Sequence, residues 1–202
     1  MFVQVIEGPV SDPQQAKTLL DRWVTELGPT ADGWLGSTAG VTDDGTFVAL
    51  ARFESEEAAR RNSDRPEQGE WWAQMAEVFT SEPEFHDSTE VDVDDHGDLD
   101  SAGFVQVMQG RTSDPQRARE LMNDDNPEWQ TYRPDVLGSL SAVHDGDAWT
   151  MAIYFSSEDE ARAGEQKEPP ESIRKAMAEV DSLTVGDTSY FDLKDPWLVS
   201  PS

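Results

Sequence analysis

Cysteine is absent from this 202-residue chain. That removes disulfide frameworks, thiolate metal sites and thiol nucleophiles. Histidine occurs three times and tyrosine three times, so candidates for a base titrating near neutrality are few. Basic residues are scarce as well. The 15 Lys and Arg face 42 Asp and Glu, for a net charge of −27. Residues 1–100 hold 6 basic against 23 acidic side chains (net −17), and residues 101–202 hold 9 against 19 (net −10). Both halves therefore repel nucleic-acid phosphates and anionic lipid surfaces. Such a surface is that of a soluble, well-solvated protein, or of one from a salt-adapted proteome. No apolar run approaches the roughly 18 residues a membrane helix needs, and Met1-Phe2-Val3-Gln4 carries no basic leader. A cytoplasmic protein is expected. A Gly-x-Ser-x-Gly elbow, a phosphate-cradling glycine loop and a metal-ligand spacing are all missing, so neither a serine triad nor a bound metal is expected.

What the chain does contain, it contains twice. Phe2-Val3-Gln4-Val5-Ile6-Glu7-Gly8, followed by Ser11-Asp12-Pro13-Gln14, returns as Phe104-Val105-Gln106-Val107-Met108-Gln109-Gly110 with Ser113-Asp114-Pro115-Gln116. The offset of 102 also aligns Leu35-Gly36-Ser37 with Leu137-Gly138-Ser139, Phe53 with Phe155, and Met75-Ala76-Glu77-Val78 with Met177-Ala178-Glu179-Val180. Two copies of one unit, free of insertions, are expected. Each copy has about 100 residues and is large enough to bury its own core.

Within a copy the elements can be placed. Phe2–Glu7 is apolar at both parities, as in a strand covered on both faces. Gln4 is the polar exception. Asp12 and Pro13 suit the N-cap and first position of a helix with Ala16, Leu19, Leu20, Trp23 and Leu27 as its stripe. Trp34–Val41 and Thr46–Phe53 form a hairpin across Asp43-Asp44-Gly45. Ser55 caps a short helix to about Asn62, a second helical stretch spans about Gly69–Phe79, and His86–Val93 makes a last strand. The order is βαββαβ, the ferredoxin-like plan. Residues 1–93 are expected to be the first unit, the acidic stretch 94–101 a linker, and residues 102–202 the second unit with a tail carrying Trp197.

This pattern, with the broken second helix opening Phe53-Glu54-Ser55-Glu56-Glu57-Ala58, resembles the antibiotic biosynthesis monooxygenase domain of the dimeric α+β barrel superfamily. The resemblance implies an α+β fold in which two tandem ferredoxin-like units form an intramolecular dimeric α+β barrel, so that the chain is its own pseudo-dimer. It also implies the range of roles found in that superfamily. They include cofactor-free oxygenases of aromatic polyketides and quinones, haem-degrading enzymes, and small-molecule binders. The haem-degrading branch carries an asparagine where Gln4 stands here, and a haem-ligating histidine in a helix that has none here between Phe53 and Phe79. No haem or other cofactor is expected.

Comparing the copies at the constant offset singles out residues that differ. Trp34 faces Val136, Trp72 faces Arg174 and His86 faces Thr188. Trp71, aligned with Ile173, suits the core. Gln4 and Gln106 recur on an apolar strand face and need a partner, either a ligand or a structural hydrogen bond. His144, beside a hairpin turn, is expected to be solvated. Three function classes follow. The first is a small-molecule-binding protein with a site in the first half, Gln4, Trp34, Asn62 and Trp72 lining a pocket for a hydrophobic or aromatic ligand. The second is a cofactor-independent oxygenase using the same pocket, in which a polar side chain deprotonates an electron-rich aromatic substrate so that its anion reacts with oxygen, with His86 the candidate catalytic base. The third is a structural or partner-binding module.

Overall fold

A strand with valines on one face and Phe2 and Ile6 on the other lies near the middle of the first sheet. This strand, β1 (Phe2–Pro9), is paired antiparallel with β3 (Thr46–Phe53) and with β4 (Glu84–Ser88). The computed structural model describes residues 1–122 and 126–201. Between the strands run α1 (Pro13–Glu26), α2 (Glu56–Ser63) and α3 (Pro66–Ala76), with β2 (Trp34–Val41) forming a hairpin to β3. Asp12 caps α1 through its carboxylate and Ser55 caps α2 through its hydroxyl, as the Ser/Asp rule at helix starts requires.

The second half repeats the plan. After β5 (Glu90–Asp95), β6 (Phe104–Thr112) leads to α4 (Pro115–Met122) and α5 (Glu128–Tyr132). A hairpin of β7 (Val136–His144) and β8 (Ala148–Phe155) follows, then α6 (Glu158–Glu165), α7 (Glu171–Leu183) and β9 (Thr184–Leu193), with β10 (Trp197–Val199) last. The strand orders are β10-β2-β3-β1-β4 and β5-β7-β8-β6-β9. Without β10 and β5, each sheet has the ferredoxin-like order. The fold is α+β with two ferredoxin-like units in tandem.

The compact units are Met1–Val91 with Asp195–Ser202, and Asp92–Lys194. The acidic stretch is thus more than a tether. Its first residues, Asp94 and Asp95, end β5 at the edge of the second sheet, and Leu99–Ser101 form a 3-10 turn. An acidic strand suits an edge, where its side chains stay in water and deter further pairing. The expected strand His86–Val93 is two strands, β4 and β5, in different sheets. The repeated Leu-Gly-Ser also finds a reason here. A Cβ on Gly36, whose φ is +128°, would lie 2.8 Å from the Val199 carbonyl of β10, and one on Gly138 would collide with the Asp94 carbonyl of β5. Each glycine admits an edge strand that a side chain would exclude.

In the first unit the helix-facing side of the sheet carries Phe2, Ala39, Phe47, Ala49 and Phe53. They pack with Leu19, Leu20, Trp23, Trp71 and Met75. Val3, Val5, Val48 and Leu50 lie on the opposite face and have no solvent exposure, so the strand apolar at both parities is buried on both sides, as expected.

The offset of 102 does not hold throughout. It holds through the caps Ser55 and Ser157. Two residues then separate α2 from α3, whereas five separate α6 from α7. Beyond this point equivalent positions differ by 105. The Ser11 N–H donates to Val78 and the Ser113 N–H to Leu183; Val5 is opposite His86 and Val107 opposite Phe191. The identical Met-Ala-Glu-Val runs are therefore not equivalent in structure: Met75 is 1% exposed and Met177 is 44% exposed. Three extra residues ahead of a helix move every later position by nearly one turn. The structural counterpart of Trp72 is Met177, not Arg174, and that of His86 is Phe191, not Thr188.

Candidate functional site

Trp72 lies on the exposed side of α3, one residue past the buried Trp71. Trp71 is fixed by its indole N–H, which donates to the Leu19 carbonyl at 2.8 Å. Its neighbour Trp72 is left half-buried, with ring centroids 6.2 Å from Phe79 and 5.3 Å from Phe85. Phe85 is 45% exposed on β4. These rings and the connecting segment Thr80–Pro83 line an open groove of about 500 Å³. Gly8 helps to shape it. A Cβ there would approach the Phe79 ring to 3.0 Å, so glycine lets the ring lie over β1.

Of the residues singled out in the sequence, only Trp72 lines this groove. Trp34 is buried beneath the helices, edge-on to Trp23 with centroids 4.9 Å apart, and its indole donates to the Ser37 hydroxyl at 3.1 Å. The Asn62 amide oxygen accepts from Arg65 at 2.9 Å, and Arg65 also donates to the Thr30 hydroxyl at 2.7 Å. Asn62 thereby helps to brace the break between α2 and α3. The Gln4 amide donates to Asp87 at 2.9 Å, and Gln106 donates likewise to Asp192 at 2.8 Å. The partner both glutamines need is thus a carboxylate on the neighbouring strand. His86 pairs in register with Val5 and so lies on the opposite face of β4 from Phe85. Its ring stands 3.9 Å from Glu84. Trp72 and His86 are not brought together.

His144 corrects the expectation of a solvated side chain. It is 7% exposed, with one ring nitrogen 3.0 Å from the Thr150 hydroxyl and the other 3.1 Å from the Asp145 carboxylate. Its β7 neighbours carry it inward before the turn begins. Phe79 and Phe85 were not singled out from sequence. Phe79 lies beyond the end of α3, where it bridges to Val10, so helical spacing does not place it. Phe85 is set by the register of β4, which local sequence does not fix.

No family profile matches the sequence, and no curated protein does. Solved structures match the whole fold. A candidate monooxygenase from Fusobacterium nucleatum superposes with a TM-score of 0.75 at 11% identity, over 98% of this chain and 94% of its own. One from Lactobacillus acidophilus gives 0.67 at 10%, over 98% and 99%. An uncharacterised ferredoxin-fold protein from Listeria monocytogenes, related to antibiotic biosynthesis monooxygenases, gives 0.50 at 8%, over 100% and 95%. In fold, the chain is similar to these tandem ferredoxin-like structures over nearly its whole length. Among the described residues no helix is long and apolar enough to cross a membrane.

Proposed function

We propose that the first unit binds a flat, hydrophobic or aromatic small molecule in the Trp72 groove. The observation that carries this reading is the ring set Trp72, Phe79 and Phe85 around about 500 Å³ of open space, a volume in the range of ligand pockets. Aromatic side chains offer large contact area at small rotamer cost. The rim contributes Ser81 and Glu82, polar groups suited to orienting a hydroxyl or amine on the ligand. Trp34 and Asn62 support the groove from within the unit, through the helices, and Gln4 fixes β4 through Asp87. His86, on the other face of β4, takes no part in this binding.

The test is a titration of aromatic ligands found by screening, followed by intrinsic fluorescence and calorimetry. Trp72→Ala should weaken binding by about tenfold or more, as loss of a stacking aromatic does. Met177→Ala, at the equivalent place in the second unit, should leave it unchanged. Equal losses in the two variants would refute the reading.

A further inference from the structure

On the face of β1 and β4 away from the groove, three metal-ligating side chains converge. Strand register sets Glu7 directly opposite Glu84, and Val5 opposite His86, so all three side chains leave the same face. One ligand atom of each lies within 4.8 Å of the others. Two like charges directly across a ladder are unfavourable, the more so in a unit already rich in carboxylates. The Glu7 Oε2 atom adds a second, independent observation. It is shielded from solvent and has no hydrogen-bond partner, a costly state for a carboxylate oxygen. A positive ion bound among them would offset both penalties.

The second unit serves as an internal control. There the corresponding residues are Gln109, opposite Ser189, and Phe191, opposite Val107. The two carboxylates and the imidazole are replaced together, while the strands that carry them keep their pairing. A like-charge pair has been kept only in the unit that also has the histidine.

We propose that Glu7, Glu84 and His86 form a binding site for one divalent cation of the zinc class. One imidazole nitrogen and two carboxylates suit such borderline ions, and three protein ligands leave a coordination position for water. Bonds of about 2.0–2.2 Å put tetrahedral ligand atoms about 3.4 Å apart. The Glu84 side chain, 73% exposed, is free to make the small movement required. A cavity of about 170 Å³ lined by Glu7, Glu84, Thr46 and Ser81 gives room for coordinated water.

The experiment is calorimetric titration of the full chain with zinc chloride at physiological salt. Wild type should show one stoichiometric site above the weak, multiple binding of an acidic surface. Glu7→Gln and His86→Phe, the residues the second unit uses, should each weaken it by more than tenfold, since even outer-shell losses cost about 10–100-fold. Glu26→Gln, at the end of α1 and so on the helix-covered side of the sheet, should not change it. Nitrogen-15 spectra of the wild-type imidazoles give a reading that needs no variant. One equivalent of zinc should shift the His86 ring nitrogens and leave those of His96 in place. Unaltered affinity in folded Glu7→Gln and His86→Phe, or a zinc-dependent shift at His96 alone, would overturn the proposal.

Discussion

Trp72 meets Phe85 edge-on, with ring centroids 5.3 Å apart and an interplanar angle of 61°. One ring comes from α3 and the other from β4, so their meeting depends on how the helix is seated on the sheet. Phe85→Ala should leave the fold intact, because Phe85 is exposed, and should weaken binding of an aromatic ligand. Parallel chemical denaturation and ligand titration will separate the two effects. We expect stability within about 0.5 kcal/mol of wild type and a clear loss of affinity.

The three-residue shift between the units predicts unequal effects at identical residues. Met75 is enclosed and Met177 is not. Met75→Ala should cost about 2–5 kcal/mol, as truncation in a core does, and Met177→Ala less than about 0.5 kcal/mol. Thermal melts of the two variants will show this directly. Similar losses would restore the constant offset of 102.

The fold was largely legible in the sequence, and the site only in part. The Asp43-Asp44-Gly45 turn between two runs with few charges fixes both strands of the first hairpin, and Trp34–Val41 and Thr46–Phe53 form as expected. These signals are local. Strand exchange between sheets is not: nothing in the sequence splits His86–Val93 into two strands, or makes Asp94 and Asp95 the end of an edge strand, until β7 is placed beside β5. The offset misled for a related reason. The Met-Ala-Glu-Val identity favours a constant offset, and Pro169-Pro170 shows that the helix breaks there but not how many residues the break holds. Trp72 marks the groove in the sequence, yet Phe85 and the Glu7–Glu84–His86 set depend on the register of β1 against β4.

The cross-strand glutamines offer a comparison within one chain. Gln4–Asp87 is exposed, whereas Gln106–Asp192 is partly buried and Asp192 also pairs with Arg162. Double-mutant cycles should give a coupling of about 0.5–1.5 kcal/mol for Gln106–Asp192 and a smaller one for Gln4–Asp87, where water competes.

Ser55 caps α2 by accepting from the Ala58 N–H at 3.2 Å. The Glu57 carboxyl is held below its ordinary value by its own backbone N–H and by the Ser55 hydroxyl. A depressed carboxyl adds stability above its unfolded pKa, and that stability is lost as pH falls through the folded value. Loss of the cap in Ser55→Ala should cost about 1 kcal/mol. Denaturation as a function of pH should show the deficit shrinking as pH falls through the titration of Glu57.

The measurement that bears most directly on the groove is the set of intermolecular nuclear Overhauser effects from a bound aromatic ligand to the tryptophan indoles. Trp23, Trp34, Trp71 and Trp72 cluster, but the first three are buried, so direct contacts to the Trp72 indole locate the ligand without any substitution. Contacts to the Trp72 indole, with accompanying contacts to the Phe79 and Phe85 rings, are the result predicted here. Contacts to Trp149 and Tyr154 of the second unit, with none to Trp72, would contradict it.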